Sequence, residues 1–154
     1  MDNVLDLLLG TYPSWSRAVV RVALGVVFLA HGGQKVFGWF GGPGLKATIQ
    51  SFQQHMKVPP AATVMAALVE FLGGLAMLVG VLARPAAVGI IVVMLVAIVK
   101  VHGRNGFFLN FSGTPGKGHG VEFNVVLIAM ALSILIGGAG ALSVDCLLRP
   151  WGAD

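Results

Sequence analysis

Four long apolar runs dominate the chain, and polar residues gather in the segments between them. The runs cover residues 17–37, 61–83, 86–101 and 121–142. A helix needs about 20 mainly apolar residues to cross a bilayer, so each run is read as a membrane-spanning helix. The third is the shortest; it either extends to His102 or sits in a thinned region of the bilayer. All seven prolines (Pro13, Pro43, Pro59, Pro60, Pro85, Pro115 and Pro150) stand outside the runs. Proline inside a helix costs about 3 kcal/mol, so this placement supports the segmentation. The expected fold is all-α: one domain over residues 1–154, an integral membrane four-helix up-down bundle with interfacial amphipathic segments.

The connections differ in character. Ala83-Arg84-Pro85 reads as a tight turn, which makes the second and third runs an antiparallel hairpin. In the first connection Leu45, Ile49, Phe52 and Met56 recur at helical spacing, with Gln50, Gln53 and Gln54 between them. That pattern predicts a short amphipathic helix lying in the interface. Val4, Leu5, Leu7, Leu8 and Leu9 predict a second interfacial segment. Residues 103–120 carry six glycines together with Phe107, Phe108 and Phe111. They read either as a lid that dips into the interface or as a loosely anchored surface loop. Tyr12, Trp15, Trp39 and Trp151 fit aromatic belts. Gly73 and Gly74 in the second run, and Gly137, Gly138 and Gly140 late in the fourth, read as close-packing positions between helices.

Composition strengthens the membrane reading. The chain is 56% hydrophobic and 10% charged, against about 25% charged for soluble domains. Its net charge is +4, but the basic residues are scattered singly, so no nucleic-acid footprint is present. The acidic start (Asp2, Asp6) lacks the basic region of a cleavable signal, so the first run is expected to act as an uncleaved insertion signal. One cysteine, Cys146, cannot form an internal disulfide or a CxxC centre. The loop charges nearly tie on the positive-inside rule, and Arg17 and Arg21 tip the balance to a cytoplasmic N-terminus.

Up-down topology gathers the polar residues at one end. The first run finishes with His31, Gln34 and Lys35, which share a helix face. The second carries Glu70, and the third ends with Lys100, His102 and Arg104. The fourth opens with Glu122 and Asn124. Glu70 stands out, because a carboxylate this deep costs about 2.5 kcal/mol or more on insertion. It must face protein or water, be protonated, or pair with Lys35 or His31. It serves as a packing clip or as a proton-handling group, and the two roles are compatible. His31, His102, Glu70 and Glu122 lack ExxH spacing, and Lys35, Lys100 and Arg104 would repel a cation, so no metal site is expected. Those cations suit an anion or a polarised carbonyl. His119 is expected to be solvated in its loop, and Cys146 to be an inert thiol at the far end.

Several motifs resemble the DoxX family. They are Arg21, Leu24-Gly25, Phe28-Leu29, His31-Gly32, Lys35 and Phe37-Gly38 in the first run, and Glu70, Gly73-Gly74 and Gly80 around the second. His102-Gly103, Gly106-Phe107 and Glu122 complete the set. The resemblance implies a small four-helix protein of the bacterial inner membrane. It maps the family's polar positions onto His31, Lys35, Glu70, His102 and Glu122. Some relatives are small subunits of thiosulfate:quinone oxidoreductase, and others associate with oxidative-stress enzymes.

The leading expectation is therefore a membrane subunit of a redox system, an oxidoreductase component binding quinone or a small anion. Glu70, His31 and His102 would act on protons, and Lys35, Gln34, Lys100, Arg104, Glu122 and Asn124 would bind the ligand. No cofactor is dictated, and quinone is the one this chemistry accommodates. The expected partners are the lipid bilayer and a redox enzyme subunit or further copies of the chain. The alternatives are a non-catalytic anchor or assembly subunit, and a small-molecule or proton carrier.

Overall fold

The computed structural model describes residues 2–148, with side chains from residue 4. Arg149, Pro150, Trp151 and the side chain of Asp2 lie outside the described residues. The fold is all-helical: α1 (Asp2–Leu9), α2 (Trp15–Phe37), α3 (Gly44–Ser51), α4 (Pro60–Val79), α5 (Ala83–Ala97), α6 (Glu122–Gly137) and α7 (Val144–Leu148). A π-helical turn (Ile98–His102) and a 3-10 turn (Gly103–Asn105) carry α5 onward.

Helices α2, α4, α5 and α6 close a ring in which each touches the next and α6 returns to α2. Their inward faces supply the core: Leu24, Phe28, Met77, Ile90, Met94, Leu127 and Ile134. The outward faces are apolar as well. Val19, Val26, Leu72, Val92 and Ile136 are all exposed, as expected of helices facing lipid. Three helices are long and apolar enough to cross a membrane: Trp15–Phe37, Pro60–Val79 and the continuous Ala83–Asn105. The protein is thus a helical membrane bundle.

The fourth run departs from expectation. Its helix stops at Gly137 after 16 residues instead of reaching Leu142. Gly138 (φ 80°) and Gly140 (φ 76°) adopt left-handed backbone, which L side chains rarely tolerate, so the chain turns back across the bundle end. These two glycines end a helix; they do not pack within one. The hairpin turn also shifts. It occupies residues 80–82, and Arg84 and Pro85 lie in the first turn of α5, where proline's missing N–H is harmless.

The expected amphipathic helix is α3 with its π-helical extension Phe52–Met56. It rests on α2 and α4 and keeps Leu45, Ile49, Phe52 and Met56 part-buried, while Gln50, Gln53 and Gln54 are exposed.

Helices α2 and α4 approach most closely, and glycines permit it. A Cβ on Gly74 would lie 2.2 Å from the Leu29 nitrogen, and one on Gly32 would lie 2.4 Å from the Phe71 nitrogen. Backbone cannot rotate away as a side chain can. Gly74→Ala should therefore separate the helices and lower stability by about 2 kcal/mol. Thermal unfolding in detergent checks this, with Gly73→Ala as control, since a Cβ there meets only Ile90 atoms at 3.7 Å or more.

Candidate functional site

At the end of the bundle where α2 and α5 finish, α2 brings Lys35 to Glu70 of α4. The ammonium lies 2.5 Å from each carboxylate oxygen. Glu70 is 3% exposed and Lys35 25%. The pair answers how a carboxylate is tolerated at this depth: the cation covers both oxygens. Lys35 also lies 5.8 Å from the centre of the Phe52 ring, within cation–π range.

This ion pair forms part of the wall of a cavity of about 460 Å³. Lys35, Glu70, His31, His102 and Asn124 all line it, so five of the expected site residues converge. Phe52 and Met56 of the α3 segment complete one side, and Leu109, Phe111 and His119 of the third loop another. Asn124 is buried, with its amide nitrogen 3.3 Å from the Met94 sulfur. A second cavity of about 400 Å³ lies on the other side of the pair, between α4 and α5, and Lys100 lines it with Lys35 and Glu70.

Three expected residues stand elsewhere. Gln34 lines neither cavity, and its backbone packs on the first connection, where a Cβ on Gly42 would meet it at 2.6 Å. Arg104 is exposed on the 3-10 turn and lines neither cavity. Glu122 fastens the third loop: its carboxylate accepts the Leu109 N–H at 3.1 Å, and its own N–H donates to the Phe107 carbonyl at 2.8 Å. Further bonds run from the Gly120 N–H to the Phe108 carbonyl and from the Val121 N–H to the Gly106 carbonyl, both 3.1 Å. The loop is thus tied down over the cavity.

His119, expected to be solvated in its loop, has a further place in the site. It is exposed, yet it lines the cavity and organises the loop. Its carbonyl accepts from His102 Nδ1 at 2.9 Å and from the Asn105 amide at 3.0 Å. A carbonyl can only accept, so His102 holds a proton on Nδ1, and in the neutral ring Nε2 is an acceptor. His119 is the reverse: its Nδ1 accepts the Asn110 N–H at 3.1 Å, which leaves the ring proton on Nε2. In their neutral forms, one imidazole of the cavity wall has an accepting Nε2 and the other a donating one. Among the described residues, no three His, Cys, Asp or Glu side chains could hold a metal ion together.

The opposite end carries a second polar cluster that is structural. Arg21 is 0% exposed. It donates to the carbonyls of Met77 and Leu78, at the end of α4, and of Ala139, Ala141 and Leu142 beyond α6. Arg17 reaches the Gly137 carbonyl, and Arg84 those of Gly10 and Ile136. Asp145 accepts the N–H groups of Leu82 (2.8 Å) and Ala83 (2.9 Å), capping α5 from a distant part of the chain. Burial pushes its carboxyl above the usual carboxylate range, while the two N–H donors and the charges of Arg21 and Arg84 pull it down. Arg17 and Arg21, on which a cytoplasmic N-terminus was expected, are turned inward onto helix ends. Cys146 is half-buried beside this cluster, its N–H donating to the Ser143 hydroxyl.

Lipid-facing helices around a loop-covered chamber of mainly apolar walls with a few ionisable groups define a small helical membrane protein with a built-in cavity at one end. The family model for DoxX matches residues 16–103, and the chain belongs to the DoxX family. It is 32% identical, over 150 residues, to an uncharacterised membrane protein of Mycobacterium tuberculosis, covering 86% of this chain and 87% of the relative. No solved structure matches the chain.

Proposed function

We propose that this DoxX protein is a membrane subunit of a redox system in the bacterial inner membrane, binding a quinone or a small anion in the chamber beside Lys35 and Glu70. The observation that carries the reading is the convergence of five expected polar residues on one cavity of about 460 Å³. That volume lies in the range of small-molecule sites, as does the mixture of apolar walls with a few polar groups. Lys35 offsets negative charge on a bound oxygen. The donating Nε2 of His119 suits a quinone carbonyl, which can only accept, and the accepting Nε2 of His102 suits the hydroxyl of the reduced quinol. Quinone reduction takes two electrons and two protons; a partner enzyme would supply the electrons, and Glu70 and the histidines would pass the protons.

Native mass spectrometry of protein extracted in mild detergent tests this. Wild type should carry a quinone-sized or anionic adduct, and Glu70→Gln and His31→Ala should each lose most of it. An adduct of equal occupancy in all three proteins would rule out this chamber as the site.

One observation favours a second reading, an anchor or assembly subunit. Lys35 already satisfies both oxygens of Glu70 within the chain, as a pure packing clip would. On that reading, breaking the pair from one side lowers the yield of an assembled complex without changing turnover per complex.

A further inference from the structure

The chamber does not end at the ion pair. The second cavity shares Lys35 and Glu70 with it, together with Phe52, Met56, Ala97 and Val101. This second cavity in turn shares Met65, Val69 and Gly89 with a groove of about 620 Å³ on the outer face of α4 and α5. Chamber, second cavity and groove thus adjoin in series, from the histidines to the surface that faces lipid. Polarity changes along the way. The chamber has His31, Lys35, Glu70, His102 and His119 among mainly apolar walls, the second cavity has only Lys35, Glu70 and Lys100, and the groove has no ionisable residue. At Gly89 α5 comes close to α4, since a Cβ there would come within 2.9 Å of a Val69 methyl, and the two cavities meet over this contact.

A water-soluble anion needs no such track. A molecule with a polar head and an apolar tail does. Building on the chamber reading above, we infer that the ligand is a membrane-dissolved amphiphile with a ring-type head and an apolar tail, which enters sideways between α4 and α5. The head rests beside Lys35 and Glu70, and the tail leaves past Val69 and Gly89 along the groove. Lys100, exposed at the second cavity, marks the level at which charge is tolerated. The tail gains little by leaving lipid for the groove, because lipid is equally apolar. The track acts sterically: a tailed head fits the chamber only when its tail has a way out. Tailed and tail-less forms of one head group should therefore respond differently to a plug.

The full chain in lipid nanodiscs is titrated with decylubiquinone against ubiquinone-0, and with menaquinone-4 against menadione. Occupancy is read by native mass spectrometry. Met65→Trp plugs the track from α4, where Met65 is 66% exposed, and Val92→Trp plugs it from α5, where Val92 is 53% exposed. Both positions face outward, so thermal unfolding should match wild type. The expected result is that each plug weakens the tailed form at least tenfold and leaves its tail-less partner within twofold. Equal affinities in wild type and both plugged variants, or equal losses for tailed and tail-less forms, overturn the track. So does wild type that binds only the tail-less form, and in each of these cases the chamber reading survives if Glu70→Gln still abolishes binding. Failure of all four quinones to bind wild type overturns the track and the quinone reading together.

Discussion

Arg21→Met should be among the most damaging single substitutions in the protein, removing about 3 kcal/mol or more of stability. The guanidinium is fully buried and donates to five carbonyl oxygens, with distances of 2.9 Å to Ala139, 2.9 Å to Leu78 and 2.8 Å to Leu142 among them. The last carbonyls of a helix have no partner within it. In a membrane protein water cannot readily replace the lost donor, and each unsatisfied buried polar group costs about 1–3 kcal/mol. Methionine keeps most of the volume and none of the donors. At roughly 2–4 °C per kcal/mol for a chain of this size, the midpoint of thermal unfolding should fall by about 10 °C. Arg21→Lys should recover only part of the loss, because an ammonium has three donors from one point and a guanidinium has five in a planar fork. A midpoint for Arg21→Met within about 2 °C of wild type would show that the carbonyls find other partners.

The second large effect concerns the ion pair, where order of removal matters. Lys35→Met leaves the Glu70 carboxylate, 3% exposed, without its cation. Breaking a buried pair from one side costs about 3–5 kcal/mol. Glu70→Gln should cost much less, since Lys35 is already 25% exposed and can swing toward the interface. The double variant Lys35→Met with Glu70→Gln removes both charges and should regain most of the stability lost by Lys35→Met. A thermodynamic cycle of the four proteins by denaturant unfolding measures the coupling. Additive losses would mean the pair does not act as a unit. The double variant also separates the two proposed roles: it should fold well, yet bind no ligand if the chamber needs the charges, and assemble normally if the pair is only a clip.

Much of this was legible before any coordinates. Glu70 announced itself because a lone acid in an apolar run needs a partner, and Lys35 was one of two candidates. The histidines and Asn124 followed from up-down topology alone. Arg21 carries the same kind of signal, being a charge among valines four residues inside the first run, but in the sequence it counts only toward the positive-inside balance and the family motif. Asp145 and His119 were less visible. Asp145 follows the fourth run and meets α5 only because Gly138 and Gly140 fold the chain back. His119 is a loop residue, and its importance lies in a carbonyl and a ring nitrogen whose partners are fixed by loop conformation. Gln34, Arg104 and Glu122 show the converse. Sharing one end of a bundle places residues near a cavity without pointing them into it.

The early stop of α6 has a consequence for the surrounding lipid. At 16 residues and 1.5 Å per residue the helix is about 24 Å long, short of a hydrocarbon core of about 30 Å. The neighbouring helix Ala83–Asn105 is longer at 23 residues, but Arg84 near its start and Lys100, His102 and Arg104 near its end leave an apolar middle of about 22 Å. The α5–α6 flank is therefore thin in hydrophobic thickness against the bilayer. Such mismatch costs a fraction of a kcal/mol per Å and is relieved by local thinning or by another protein surface. Lipid elasticity alone thus gives the α6 flank a standing bias toward a neighbour, and toward the thinner regions of a membrane.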